Sequence, residues 1–124
     1  EAAAQIHGAL LQATKDGAVS SEIFAAAKRA YADAGAPEEI EKHHQGGTCG
    51  YAERDWVIKP QGTERVTAPQ AFAYNPSLRG AKAEDTVVLV DGKTEVITAT
   101  PDLPVLECSI DGVSYRSAGL LVRN

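Results

Sequence analysis

The sequence predicts an α+β fold in which two amino-terminal helices pack on a mainly antiparallel β-sheet. Apolar residues recur at helical spacing only in the first third of the chain, and after residue 38 short segments rich in β-branched and aromatic residues replace them. At 124 residues the chain can form one two-layer core. We therefore expect a single domain over residues 1–124, with a helical layer at 1–36 and a sheet with hairpins at 38–124.

The first helix is predicted over residues 2–15. Its apolar residues recur every three or four positions, and its alanine-rich composition favours the same structure. Asp16-Gly17 is expected to end it. His7 has no carboxylate three or four residues away, and we expect it on the surface. The apolar stripe consists of Ala3, Ile6, Leu10 and Ala13 or Thr14.

The second helix is predicted to begin with Ser20 or Ser21 as its cap and to end before Gly35 and Pro37. Alanines are frequent in both helices, and such small side chains allow two helices to approach closely or to lie flat on a sheet. The stripe of this helix consists of Ile23, Ala27, Ala30, Tyr31 and Ala34, with Phe24 beside it.

The predicted strands lie in the remaining two thirds of the chain. Asp91-Gly92 and Asp111-Gly112 each stand between two such strands, and an Asp-Gly pair in that place is typical of a two-residue hairpin turn. Neighbouring strands joined in this way are antiparallel. The strand segments are "QAFAY", "DTVVLV", "TEVITA", "VLECSI" and "VSYRS".

Charge and composition exclude several classes of function. The chain has 12 Lys and Arg against 17 Asp and Glu, a formal net charge of −5, and a nucleic-acid-binding protein needs a basic face. No apolar run approaches the ~20 residues of a spanning helix, so we expect no membrane partner and a cytoplasmic location. Cys49 and Cys108 are expected to be thiols. Because the sequence contains no methionine, we expect it to be the later part of a longer chain.

The stretch "EKHHQGGTCGYAERDW" at 41–56 concentrates the residues that could carry chemistry. Histidine is the commonest metal ligand, but His43 and His44 would face opposite sides of a strand, so at most one enters a given cleft. The glycines do not have the spacing of a phosphate loop. A nucleophilic pair of Cys49 with His44 is disfavoured because acidic residues follow closely. Local features alone favour a surface or packed position over metal binding for both histidines.

Taken in order, the paired helices, "HHQGG", "AFAYNPSL" and "GAKAEDTVVLVDGKTEVIT" resemble the C-terminal part of the catalytic domain of the pita-bread metallopeptidases. This family includes methionine aminopeptidase, Xaa-Pro dipeptidase and aminopeptidase, and creatinase. The resemblance extends from about residue 2 to residue 98. It implies a curved antiparallel sheet with helices on its outer side, which is half of a pita-bread fold.

The resemblance also implies a set of site residues. Glu84 takes the position of the family's last metal-bridging glutamate, and His44 is the best match to its metal-binding histidine, with His43 as the alternative register. Asn75 stands where the family has a ligating glutamate, and a neutral amide is a weaker ligand.

Arg54-Asp55 stands nearest to the family's second histidine and its acidic neighbour. Arginine stays protonated and can clamp a carboxylate or oxyanion, but it cannot shuttle a proton. The expected roles are therefore catalysis by His44 and Arg54, metal binding by His44 and Glu84, and substrate binding by His43, Asp55 and Asn75.

The implied function is hydrolysis of N-terminal peptide bonds of a peptide or small-molecule substrate. One or two divalent ions (Mn, Co or Zn) would be held jointly by this chain and by carboxylates from the missing N-terminal half. The alternative is a catalytically inactive pseudoenzyme that binds a ligand or a partner in the same cleft. An exposed strand edge predicts a homo-oligomer, and residues 99–124 are expected to form a hairpin and a tail that pack on the rim, with Cys108 inside.

Overall fold

A computed structural model describes residues 1–122 of the chain. Helix α1 covers Ala2–Ala13, helix α2 covers Ser20–Asp33, and a 3₁₀ helix that the sequence did not predict covers Pro37–Lys42. Among the described residues, neither α-helix has the length and apolar character needed to span a bilayer.

Helix α2 begins differently from the prediction, because its cap is Val19 rather than a serine. The backbone N–H of Val19 donates to the Glu22 carboxylate, 3.0 Å away. Ser20 is the first helical residue, and its hydroxyl oxygen instead accepts a hydrogen bond from the N–H of Lys59 at 3.3 Å. The serine is therefore used to attach the helix to the segment that follows β2.

The strands form one main sheet and two small ones. The main sheet has five strands in the order β2-β1-β3-β6-β7, and every neighbouring pair is antiparallel. The remaining strands pair as β4-β5 and β8-β9. Their bounds are Gly46–Cys49 (β1), Trp56–Val57 (β2), Gln70–Tyr74 (β3), Ser77–Leu78 (β4), Ala81–Lys82 (β5), Asp85–Val90 (β6), Lys93–Val96 (β7), Val105–Ile110 (β8) and Val113–Ala118 (β9).

Both predicted Asp-Gly hairpins form. Asp91 and Asp111 have φ angles of 49° and 48°, and the glycines that follow them have φ angles of 73° and 80°. Two successive residues with positive φ are the requirement of a type I′ turn, which matches the twist of the flanking strands. Asp tolerates this conformation better than most residues, and Gly adopts it without strain.

The two faces of the main sheet differ in their surroundings. Thr48, Phe72 and Val87 lie side by side on β1, β3 and β6, are fully buried, and face the helices. We call this side the covered face. The next row, Gly47, Ala73 and Thr86, points the other way. We call that side the open face, because the helical layer lies on the opposite side of the sheet.

The β8-β9 hairpin packs on α1, which differs from the rim position that we expected. Cys108 is buried, as predicted, and its Sγ lies 3.3 Å from the carbonyl oxygen of Ala4. A Cβ at Gly8 would come within 2.8 Å of the same sulfur, so a residue without a side chain is needed there. Helix α1 thus lies between the main sheet and the hairpin.

This position makes the prediction for His7 wrong. Its side chain is 1% exposed rather than on the surface. The apolar stripe of α1 indicated only the face that meets the sheet. It gave no sign that a distant hairpin packs on a second side of the helix, at Ala4 and Gly8.

Candidate functional site

Three of the predicted site residues lie at one end of the main sheet. The N–H of Asn75 donates to the carbonyl oxygen of Gln45 at 3.1 Å, and the N–H of Ala83 donates to that of Pro76 at 3.1 Å. The segments that carry His44, Asn75 and Glu84 are therefore bonded in series across three adjacent strands. With strands about 4.8 Å apart, the backbones of His44 and Glu84 are roughly 10 Å apart, and Asn75 lies between them. We call these three residues the polar row.

His44 is exposed, and its ring is held by its own backbone turn. The N–H of Gly46 donates to Nδ1 of His44 at 3.1 Å, so in the neutral ring the proton is on Nε2. Gly46 has a φ of +94°, and a Cβ there would collide with the carbonyl oxygen of Ala73. Only glycine permits this bend close to the neighbouring strand.

His43 connects two loops beside the polar row. Its Nδ1 lies 2.8 Å from the carbonyl oxygen of His44, and its Nε2 lies 3.3 Å from that of Ser77. The ring is half-buried. These contacts connect the turn before β1 to the turn after β3.

Tyr31, on α2, fixes the same two loops and was not predicted as a site residue. Its hydroxyl donates to Oε1 of Gln45 at 2.7 Å and accepts from the N–H of Ser77 at 3.0 Å. Tyr31 and Gln45 are fully buried, and burial raises the pKa of the Tyr31 hydroxyl, so it stays neutral. The only sign of this role in the sequence was a tyrosine within an apolar stripe. A tyrosine there places its hydroxyl in the core, where it needs a hydrogen-bond partner.

Within the polar row, Glu84 and Asn75 offer different chemical groups. The Glu84 carboxylate pairs with the Lys82 ammonium at 2.6 Å, and both side chains are 50% exposed. The Oδ1 atom of Asn75 is buried and accepts no hydrogen bond from residues 1–122. The centre of the row is therefore a neutral acceptor beside a carboxylate that solvent reaches.

Arg54 and Asp55 lie at the other end of β1. The N–H of Asp55 donates to the carbonyl oxygen of Thr48 at 3.0 Å, which is four residues along the strand from His44, or roughly 13 Å. Arg54 is half-buried, and its Nη1 donates to the carbonyl oxygen of Glu53 at 2.8 Å. The structure does not bring this pair together with the polar row.

The residues of this chain do not by themselves fit a metal centre. Within residues 1–122, no three His, Cys, Asp or Glu side chains converge as ligands for an ion. His44 and Glu84 are two candidate ligands, but Asn75 between them is neutral and Lys82 occupies the Glu84 carboxylate. A metal ion at the row would need further carboxylates from outside the chain.

Comparison with known proteins gives matches among solved structures, whereas no family model and no curated protein matches the chain. A dipeptidase from Pyrococcus horikoshii OT3 is 20% identical with a TM-score of 0.68, over 79% of this chain and 29% of that one. Dipeptidase PepE from Mycobacterium ulcerans is 24% identical with a TM-score of 0.68, over 81% and 28%. X-Pro aminopeptidase from Thermotoga maritima MSB8 is 18% identical with a TM-score of 0.65, over 81% and 30%.

These identities are too low to transfer an activity, but the overlap of the folds is extensive. The sequence resemblance implied an α+β arrangement of helices on an antiparallel sheet, as in these peptidases, and the structure confirms it. The chain spans less than a third of the length of each of these structures. It therefore has the fold of part of a pita-bread peptidase.

Proposed function

We propose that the protein is a peptidase-like hydrolase that acts on the bond next to the N-terminus of a peptide, and that the polar row receives the amino end of the substrate. The observation that carries this proposal is the serial bonding of three adjacent strands, which brings His44, Asn75 and Glu84 to one end of the sheet. The likeness in fold to dipeptidases and an aminopeptidase supports it.

Each residue of the row has a chemical role in this proposal. The Glu84 carboxylate attracts the protonated amino group, and the buried Oδ1 of Asn75 accepts one of its N–H groups. His44 presents Nε2–H as a donor to the carbonyl oxygen of the bond that is cleaved, because Gly46 holds its Nδ1. Tyr31 and His43 keep the loops in place, and Arg54-Asp55 is proposed to meet a more distant part of the substrate.

A divalent ion (Mn, Co or Zn) belongs to the proposal only for a longer protein that supplies the missing carboxylates. When bound, such an ion would polarise the carbonyl group and lower the pKa of a bound water. No step is assigned to it here, because the donors of this chain do not fit it alone.

A binding module without turnover is the second candidate. The observation in its favour is the neutral Asn75 at the centre of the row, together with the Lys82–Glu84 pair that competes for a cation. Both proposals use the same residues, so one experiment separates them.

The experiment uses the full-length protein and dipeptides of the Xaa-Pro and Xaa-Ala types, each with a free or an acetylated amino end, with and without added Mn²⁺, Co²⁺ or Zn²⁺. We expect turnover that acetylation reduces at least tenfold. Glu84→Gln should lower kcat/KM at least tenfold, because a neutral amide no longer attracts the ammonium group. Glu107→Gln, which alters an exposed ion-paired carboxylate on β8, is the matched control and should have no effect.

Binding of the free dipeptides without turnover under every metal condition would make the binding module correct and the hydrolase wrong. Turnover that Glu84→Gln leaves unchanged would place the substrate elsewhere on the molecule. The predicted homo-oligomer remains a prediction, and light scattering on the same preparation measures it.

A further inference from the structure

A cavity of about 550 Å³ lies between the edge formed by β6 and β7, the loop after β7 and the β8-β9 hairpin. This volume is within the range of small-molecule sites. None of its lining residues belongs to the polar row. Asp85 is buried in its wall, whereas the neighbouring Glu84 side chain is half-exposed and pairs with Lys82. The apolar part of its wall includes Leu11, Val96, Pro101, Leu103, Val105 and Tyr115.

Asp85 is the buried charge of this cavity. It lines the wall and is only 7% exposed. Its Oδ1 accepts a hydrogen bond from the Thr98 hydroxyl at 2.9 Å, and that hydroxyl accepts one from the N–H of Thr86 at 3.0 Å. The carboxylate is thus held in a fixed orientation by a strand and by the loop that follows β7.

No cationic side chain of residues 1–122 pairs with Asp85. The four ion pairs of this part of the chain involve other residues. Arg116 lines the cavity but pairs with Glu107 at 3.6 Å. His7 faces Asp85 from α1, and burial lowers the pKa of His7, an effect that the Asp85 charge only partly offsets.

Two further charged residues line the wall, Glu95 and Arg116, and Glu107 offsets the charge of Arg116. Glu95, on β7, is exposed and lines the same cavity. A buried carboxylate that lacks a cation is costly, and a cation placed beside it would regain much of that cost. The site therefore favours a positively charged ligand, while the apolar wall favours a hydrocarbon body.

We propose that this cavity binds a small organic cation, a primary amine attached to an apolar body, with Asp85 as its counter-ion. The ammonium group lies against Asp85, and the apolar body lies against Leu103 and Tyr115. This site is separate from the polar row and does not depend on the proposed peptidase function.

The test is a titration of the full-length protein with phenethylamine at pH 7, followed by NMR or calorimetry. Two matched probes of the same shape are the neutral 2-phenylethanol and the anionic 3-phenylpropanoate. We expect the amine to bind at least tenfold more tightly than the alcohol, and the carboxylate not to bind. Equal binding of amine and alcohol, or no binding of the amine at millimolar concentration, would overturn the proposal.

Variants locate the bound amine. Asp85→Asn should weaken binding at least tenfold, whereas Asp33→Asn, at an exposed carboxylate of α2 outside the cavity, should not. Because Asp85 is buried and its variant can fail to fold, Ala118→Trp is the second test: Ala118 is exposed at the wall, and a larger side chain there narrows the cavity. Ala81→Trp, at an exposed strand position outside the cavity, is its control.

Loss of amine binding in Glu84→Gln, with Asp85→Asn and Ala118→Trp unaffected, would assign the amine to the polar row and refute this site.

Discussion

The covered and open faces of the main sheet are made by the same strands and differ in almost every other respect. On the covered face, Phe72 is fully buried, with Trp56 at its edge 6.1 Å away and Tyr74 stacked at 5.8 Å, measured between ring centroids. On the open face, Ala71 and Val88 are only partly buried. The packing that stabilises the sheet is therefore concentrated on one side, so residues on the other side and at the end of the strands can vary in chemistry.

The polar row continues this division. Its members are exposed or half-exposed, yet their backbones are fixed by buried groups on the covered side, chiefly Tyr31 and Gln45. The buried groups that fix these backbones are thus different residues from those proposed to form the site.

The largest effect is expected for Phe72→Ala. Truncation removes a ring that fills the centre of the core and leaves a cavity, which typically costs about 3–5 kcal/mol. Val88→Ala, one strand away on the open face, should cost about 1 kcal/mol or less, because its side chain is already partly solvated. Urea unfolding of both variants measures the difference. Equal losses would mean that the open face is as well packed as the covered face.

A smaller loss is expected for Tyr31→Phe. The change keeps the ring but removes the hydroxyl, which leaves buried polar groups of Gln45 and Ser77 unpaired, at a cost of about 1–3 kcal/mol. Tyr51→Phe is the control, since Tyr51 is fully exposed and should change stability little.

A second measurement asks whether Tyr31 acts through the site. Hydrogen exchange of the Ser77 and Asn75 amides should accelerate more in Tyr31→Phe than exchange at β6 does. If thermal unfolding and exchange of Tyr31→Phe match those of Tyr51→Phe, the hydroxyl does not hold these loops, and the polar row must be fixed by other contacts.

Local patterns were sufficient for much of the fold. Both hairpins follow from Asp-Gly turns between apolar segments, and both helices follow from spacing within a dozen residues. The resemblance predicted that His44, Asn75 and Glu84 share one site. Backbone pairing of β1, β3 and β6 brings their segments to one end of the sheet, and their roles in a site remain predictions.

Contacts between distant segments could not be predicted in the same way. The Tyr31–Ser77 hydrogen bond joins residues 46 positions apart, and no local pattern encodes such a pair. The packing of the β8-β9 hairpin on α1 joins residues about a hundred positions apart, such as Cys108 and Ala4. The distance between Arg54 and the polar row could be predicted only from the register of β1 with β2, which the sequence alone does not give.

The smallest expected effect is a pH dependence of the free energy of unfolding. It distinguishes the buried layer, which contains His7, from the end of the sheet, which contains His44. Burial lowers the pKa of His7 in the folded protein, with a partial opposing effect of Asp85, whereas an unfolded chain titrates near its ordinary value of about 6.5. Above that pH, both states are neutral at His7. Below it, the unfolded chain takes up a proton that the folded chain does not, so the free energy of unfolding falls as the pH is lowered, by at most about 1.4 kcal/mol per pH unit. The free energy of unfolding stops falling once the pH is below the pKa of His7 in the folded protein, because His7 is then protonated in both states.

Urea unfolding of the wild type at pH 7.5, 6.5 and 5.5 measures this slope, and His7→Leu should flatten it. His44→Ala is the comparison and should retain the slope, because His44 is exposed at the end of the sheet and lies outside the buried layer that holds His7. A slope that persists in His7→Leu and disappears in His44→Ala would reverse the assignment. It would mean that the end of the sheet, rather than the covered layer, couples proton uptake to folding.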